Sequence, residues 1–127
     1  MRYISVWCVR LATLYVLAGM VLGIVMAATN DHTLSPVHAH TNLLGWVTLA
    51  LFGLIYRSWP AMTIGKLPPA QVILLNIGIV IQMTGISMLL LGSPETGGGI
   101  AGIGSVIIIA SILIFIFLVF RRTSDAR

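Results

Sequence analysis

Four apolar stretches, separated by short polar links, constrain this chain more than anything else in it. They run from about Ile4 to Ala28, Val37 to Tyr56, Pro69 to Leu91 and Gly99 to Phe120. Each is close to the ~20 residues an α-helix needs to cross the hydrocarbon of a bilayer. Only 8% of the 127 residues are charged and 58% are hydrophobic, where a soluble domain carries about 25% charged residues. The expected fold is an all-α membrane protein: one four-helix transmembrane bundle over residues 1–127, multi-pass, in contact with the lipid bilayer on most of its surface.

Charge sets the expected orientation. The net charge is +4, but the basic residues form no patch with interleaved aromatics, which argues against a nucleic-acid partner. Arg2, Arg57, Lys66, Arg121, Arg122 and Arg127 fall on one side of a four-span arrangement. The links Thr29 to Pro36 and Gly92 to Gly98 hold no Lys or Arg. By the positive-inside rule both termini are cytoplasmic. In a bacterial inner membrane the two uncharged-by-base links then face the periplasm. The run before Ala28 is too long for the h-region of a signal peptide, so it reads as a retained first helix.

Several activities are excluded or disfavoured. No nucleophile with a nearby base and no phosphate-binding loop is present, so hydrolase and kinase chemistry lacks support. None of the three acids lies within a span, which argues against proton-coupled export. Cys8 is the single cysteine, so no disulfide forms within the chain, and it reads as a small packing residue.

The chemistry concentrates in Val37-His38-Ala39-His40-Thr41-Asn42-Leu43-Leu44-Gly45-Trp46, with His32 just upstream. Histidines at the mouth of a membrane helix are costly and mark candidate sites. Ser35-Pro36 reads as a helix start with serine as N-cap, which puts both histidines in the first turns. At ~3.6 residues per turn, residues two apart point about 200° from each other. A compact zinc pair is therefore disfavoured, and one histidine as an axial ligand is favoured. A regular helix would place His38 with Asn42, Gly45 and Leu49, and His40 with Leu44, Val47 and Leu51. Met26 and Met88 lie at about the same depth, and methionine with histidine suits Cu(I) or haem iron.

Ala39-His40-Thr41-Asn42, opening an apolar helix with Gly45 and Gly53 and ending near Tyr56, resembles the second helix of haem-copper oxidase subunit I. The likeness is to the cbb3-type oxidases and their nitric oxide reductase relatives, and it covers roughly twenty residues. It implies that His40 is an axial ligand of haem b, with His38 and Asn42 beside the cofactor. It also implies a homotrimer, since three four-helix chains would reproduce the family's three arcs. The third and fourth helices lack histidine, so one chain cannot build the family's dinuclear centre, and enzymatic turnover stays open. Electron transport, gas binding or haem binding are the expected roles. The alternatives are a copper or zinc site using His32, His38 and His40 with Met26 or Met88, and a structural or assembly subunit.

The remaining features read as architecture. Gly19-x-x-x-Gly23-x-x-x-Ala27 is a small-residue ridge for close helix approach. Arg10, two turns inside the first span, either snorkels to headgroups or pairs with an acidic group such as a propionate or lipid phosphate. Asn76, Gln82 and Thr84 are expected to hydrogen-bond between helices. Trp59 and Lys66 look like interfacial anchors. Gly92 to Gly99 reads as a flexible loop, and the fourth helix as a mainly lipid-facing span.

Overall fold

A computed structural model of the chain describes residues 3–123, all helix and connection, with no strand among them. Four helices are long and apolar enough to cross a membrane: α1 (Ile4–Thr29), α2 (Ser35–Ser58), α3 (Leu67–Leu90) and α4 (Pro94–Arg122). A short 3₁₀ turn, Pro60–Thr63, lies between α2 and α3. Arg2 and Arg127, which the charge reading counted, lie outside the described residues. The links are short enough to force antiparallel neighbours, giving two hairpins, α1/α2 and α3/α4. Asn30 turns the first link in the left-handed region at φ 51°, and Gly92 turns the last at φ 118°.

Lipid tails are as apolar as leucine, so membrane helices associate through packing and hydrogen bonding rather than hydrophobic burial. The α3/α4 hairpin shows how. Gly78 and Gly85 on α3 meet Gly97 and Gly104 on α4, seven residues apart on each helix. A methyl group added at Gly78 would sit 3.0 Å from the Ile108 amide nitrogen, so the two backbones touch. The same heptad row continues to Gln71 on α3 and to Ser111 and Leu118 on α4, all fully buried. A repeat of seven along both helices is the signature of a gently supercoiled pair.

This seam corrects one expectation. The segment Pro94 to Gly99 is helical, not a loop: Pro94 fits the first turn of α4, and Gly97 must be helical to rest on the backbone of Leu89. Helix α4 commits one row of mostly small residues to α3 and leaves much of its remaining length exposed, as expected of a mainly lipid-facing span.

The hairpins join near the end that carries the termini. Phe52 of α2 stacks on Phe115 of α4 with ring centroids 3.9 Å apart, and Tyr56 meets the same ring edge-on at 5.7 Å. Below them Tyr56 Oη donates to Gln71 Oε1 (2.8 Å), Gln71 Nε2 donates to Ser111 Oγ (3.0 Å), and Ser111 Oγ donates to the Gln71 carbonyl (2.8 Å). Three helices are thus tied by one buried polar chain. Met62 of the 3₁₀ turn plugs this core and is fully buried, and Arg122 donates to the Ile64 carbonyl, fixing the link to α4. Higher up, Tyr15 donates to Asn76 (2.9 Å) and Gln82 to Ser105 (2.7 Å), so Asn76 and Gln82 do bridge helices. Thr84 instead bonds Val80 of its own helix.

Candidate functional site

Helix α2 is not a regular α-helix. After one α-helical turn, Ser35–His40, it winds as a π-helix over Thr41–Thr48 and returns to α geometry at Leu49–Ser58. Thr48 Oγ1 donates to the Leu43 carbonyl five residues back (2.8 Å), bracing the wider turn. The consequence is a period of four. Val37, Thr41, Gly45 and Leu49 are all buried, while Ala39, Leu43, Val47 and Leu51 are all exposed. In a regular helix the twelve residue steps from Val37 to Leu49 would end about 120° off the starting face. The π turns absorb that angle.

The faces expected from 3.6-residue spacing are corrected accordingly. His38 shares its row with Asn42, without Gly45 or Leu49. His40 shares its row with Leu44, while Val47 and Leu51 turn to lipid.

His38 and Asn42 face α1, and the glycine ridge exists to receive them. A side chain at Gly23 would lie 2.9 Å from the His38 ring, and one at Gly19 would overlap the Asn42 amide. Farther along, the relation reverses: Tyr15 and Cys8 of α1 fill the spaces over Gly45 and Gly53 of α2. Cys8 is fully buried there, as a packing residue. His38 Nδ1 donates to the Gly19 carbonyl (2.7 Å), which fixes the tautomer and leaves Nε2 as acceptor. Asn42 Nδ2 lies 3.4 Å from that nitrogen, and Asn42 Oδ1 is buried without a partner.

His40 stands differently. Its Nδ1 donates to the Pro36 carbonyl one turn back (2.7 Å), so its Nε2 lone pair is directed away from the helix backbone. The residue is half-buried and outside the α1 seam. Ser35 makes no side-chain cap; the first turn closes through His38 N–H to the Leu34 carbonyl.

The other candidate ligands do not converge. Among the described residues no three His, Cys, Asp or Glu side chains come together. His32 is exposed in the link before α2. Asp31, the acid nearest it, is engaged by the Thr33 hydroxyl (2.5 Å) and amide (3.0 Å), which hold its carboxyl below the usual range. Met26 is buried on α1. Met88 lines an open cavity of about 510 Å³ with Met83, Thr84, Ser87, Leu91 and Ser93, none of them a histidine.

Comparison with protein-family models, curated proteins and solved structures finds no match to this chain. Four apolar helices define a multi-pass membrane protein.

Proposed function

We propose that the chain is a haem-binding integral membrane protein, related in its second helix to haem-copper oxidase subunit I, with His40 as the axial ligand. The observation that carries this reading is the His40 tautomer: Nδ1 is held by a backbone carbonyl and Nε2 is free. Liganding histidines are ordinarily oriented in this way, by giving the other ring N–H to a carbonyl or carboxylate. The π-helical winding that begins at the next residue adds support, since such segments occur frequently at functional sites. A haem held there supplies one-electron chemistry or a binding position for a small gas.

In this reading His38 and Asn42 are positioning residues. They lock α2 onto α1 and so fix where the first turn, and His40 with it, presents its imidazole. One chain offers apolar surface beside His40 at Leu43 and Val47, while His38 is turned to α1, so the walls come from neighbouring copies in a homotrimer. The described basic residues other than Arg10 gather at the end opposite the histidines, which supports cytoplasmic termini and a periplasmic histidine end in a bacterial inner membrane. Copper or zinc at the outer face would instead need ligands from several copies, given the dispersal of His32, His38, Met26 and Met88.

The test is the dithionite-reduced absorption spectrum of detergent-purified protein, expressed with haem supplied. Soret and α bands are expected in the wild type and in His38→Ala, and their loss in His40→Ala. No bands in the wild type would overturn the haem reading, and bands surviving in His40→Ala would overturn the ligand.

A further inference from the structure

We infer that the groove between α1 and α2 at the terminus-bearing end is a binding site for one anionic phospholipid, its phosphate held by Arg10 and Arg57. Both arginines line a single groove of about 380 Å³, whose walls are Val6 and Val9 of α1 and Leu54 of α2. Its floor is the close contact of Gly53 with Cys8 and the Ser5 carbonyl, where α1 and α2 meet. Ser5 and Arg57 also line the adjoining, more polar notch beside Thr63. A polar notch opening into an apolar groove fits a headgroup and the start of an acyl chain.

Charge identifies the occupant. Asp31 and Glu95 are the only acids among the described residues, and both lie at the far end of the bundle. Neither arginine therefore meets a carboxylate among the described residues. Arg10 lies six residues into α1, about 9 Å along the helix at ~1.5 Å per residue, where an unpaired guanidinium is costly. Its guanidinium is laid over the Trp7 ring at 5.5 Å, one turn nearer the helix start. That direction brings it toward headgroup level. Basic pockets between membrane helices are established docking places for anionic headgroups. Here the lipid phosphate supplies the anion that no described residue gives Arg10.

The site is tested on the detergent-purified full chain by native mass spectrometry, titrating phosphatidylglycerol against phosphatidylcholine of the same chains. One tightly retained phosphatidylglycerol is expected. Arg10→Gln/Arg57→Gln should weaken it about twenty-five-fold, the product of about a fivefold contribution from each arginine near an anionic headgroup. Leu54→Trp, which fills the groove and keeps both charges, should weaken it as well. Arg121→Gln/Lys66→Gln, with the same loss of charge at the same end, should leave it unchanged. If the control pair weakens binding equally, or Leu54→Trp has no effect, the attraction is that of a basic surface and the site is refuted. Equal retention of the two lipids by the wild type refutes it too. The helical circular dichroism of each variant separates lost lipid from lost fold.

Discussion

The glycines of α4 offer a test in which one helix serves as its own control. Gly97 and Gly104 lie against α3, whereas Gly99 and Gly102 have nothing within 4 Å of the position a side chain would take. A methyl at Gly97 would lie 2.6 Å from the Gly85 carbonyl oxygen and 2.8 Å from Leu89 Cα; one at Gly104 would lie 2.8 Å from Gln82 Cα and from the Gly78 carbonyl oxygen. Ordinary contact begins near 3.4 Å, and the obstructing atoms are backbone, which cannot swing aside. The helices must part by roughly 1 Å, and a gap of that size forfeits about a quarter to a half of each van der Waals contact along the seam. Gly97→Ala and Gly104→Ala are therefore expected to cost about 1–3 kcal/mol each, the usual range for overpacking. Gly99→Ala and Gly102→Ala should instead be neutral or gain up to about 1 kcal/mol, because alanine is the better helix former. Reversible unfolding of the purified protein in mixed micelles, followed by circular dichroism, measures all four. Four equal effects, or a neutral Gly97→Ala, would refute the backbone-contact seam.

Tyr56→Phe should cost about 1–3 kcal/mol in the same assay, because it leaves Gln71 Oε1 buried without its donor. Adding Gln71→Leu should recover part of that loss, and no recovery would show that the chain from Tyr56 to Ser111 is not what matters. Gly23→Ala should push the His38 ring off the Gly19 carbonyl, read as a shift of the His38 Nδ1 resonance; an unmoved resonance contradicts the α1/α2 seam. Deleting Val47 from the exposed row of the π-helix leaves eleven residue steps from Val37 to Leu49, only about 20° from three whole α-helical turns. That deletion should cost far less than deleting Ile109 from the regular α4, and equal damage would refute the role given to the π winding. Asp31 carries a lowered pKa, so the stabilisation it gives the turn is present above the ordinary value of 3.8 and is lost as pH falls through the folded value. The Thr33 amide resonance should therefore titrate with a midpoint below 3.8, and a midpoint at or above it would show the contact to be absent.

The helices were legible because length and apolar content alone decide them in lipid. The start of α4 was not, because Ser-Pro-Glu-Thr followed by three glycines has the composition of a water-exposed turn. In this setting the same glycines remain helical: the bilayer offers no water to free peptide groups, and Gly97 takes its place against the backbone of Leu89. The α3/α4 seam was written in the chain as Gln71, Gly78 and Gly85 against Gly97, Gly104 and Ser111, a spacing of seven that hydropathy hides because glycine and serine lower it only slightly. Gln71 and Met62 carried no local mark of burial; only the arrival of Tyr56, Ser111 and the 3₁₀ turn makes them core.

The histidine region shows why a motif and its geometry separate. Spacing four between Gly19 and Gly23 matches spacing four between His38 and Asn42, and in an antiparallel pair this already places a polar knob over each glycine. What spacing could not supply was the winding of α2, since a π-helix has no composition of its own. It arises when the rows at both ends are fixed by partners: Val37 and His38 at one end, Leu49 and Gly53 at the other, with one residue too many between for 3.6 per turn. Widening the helix keeps every one of those contacts, and the surplus is taken up directly after His40. The division of labour between the two histidines follows from that placement. His38 is spent on holding α2 to Gly19, and the turn it secures leaves the His40 Nε2 lone pair to whatever approaches from outside the chain.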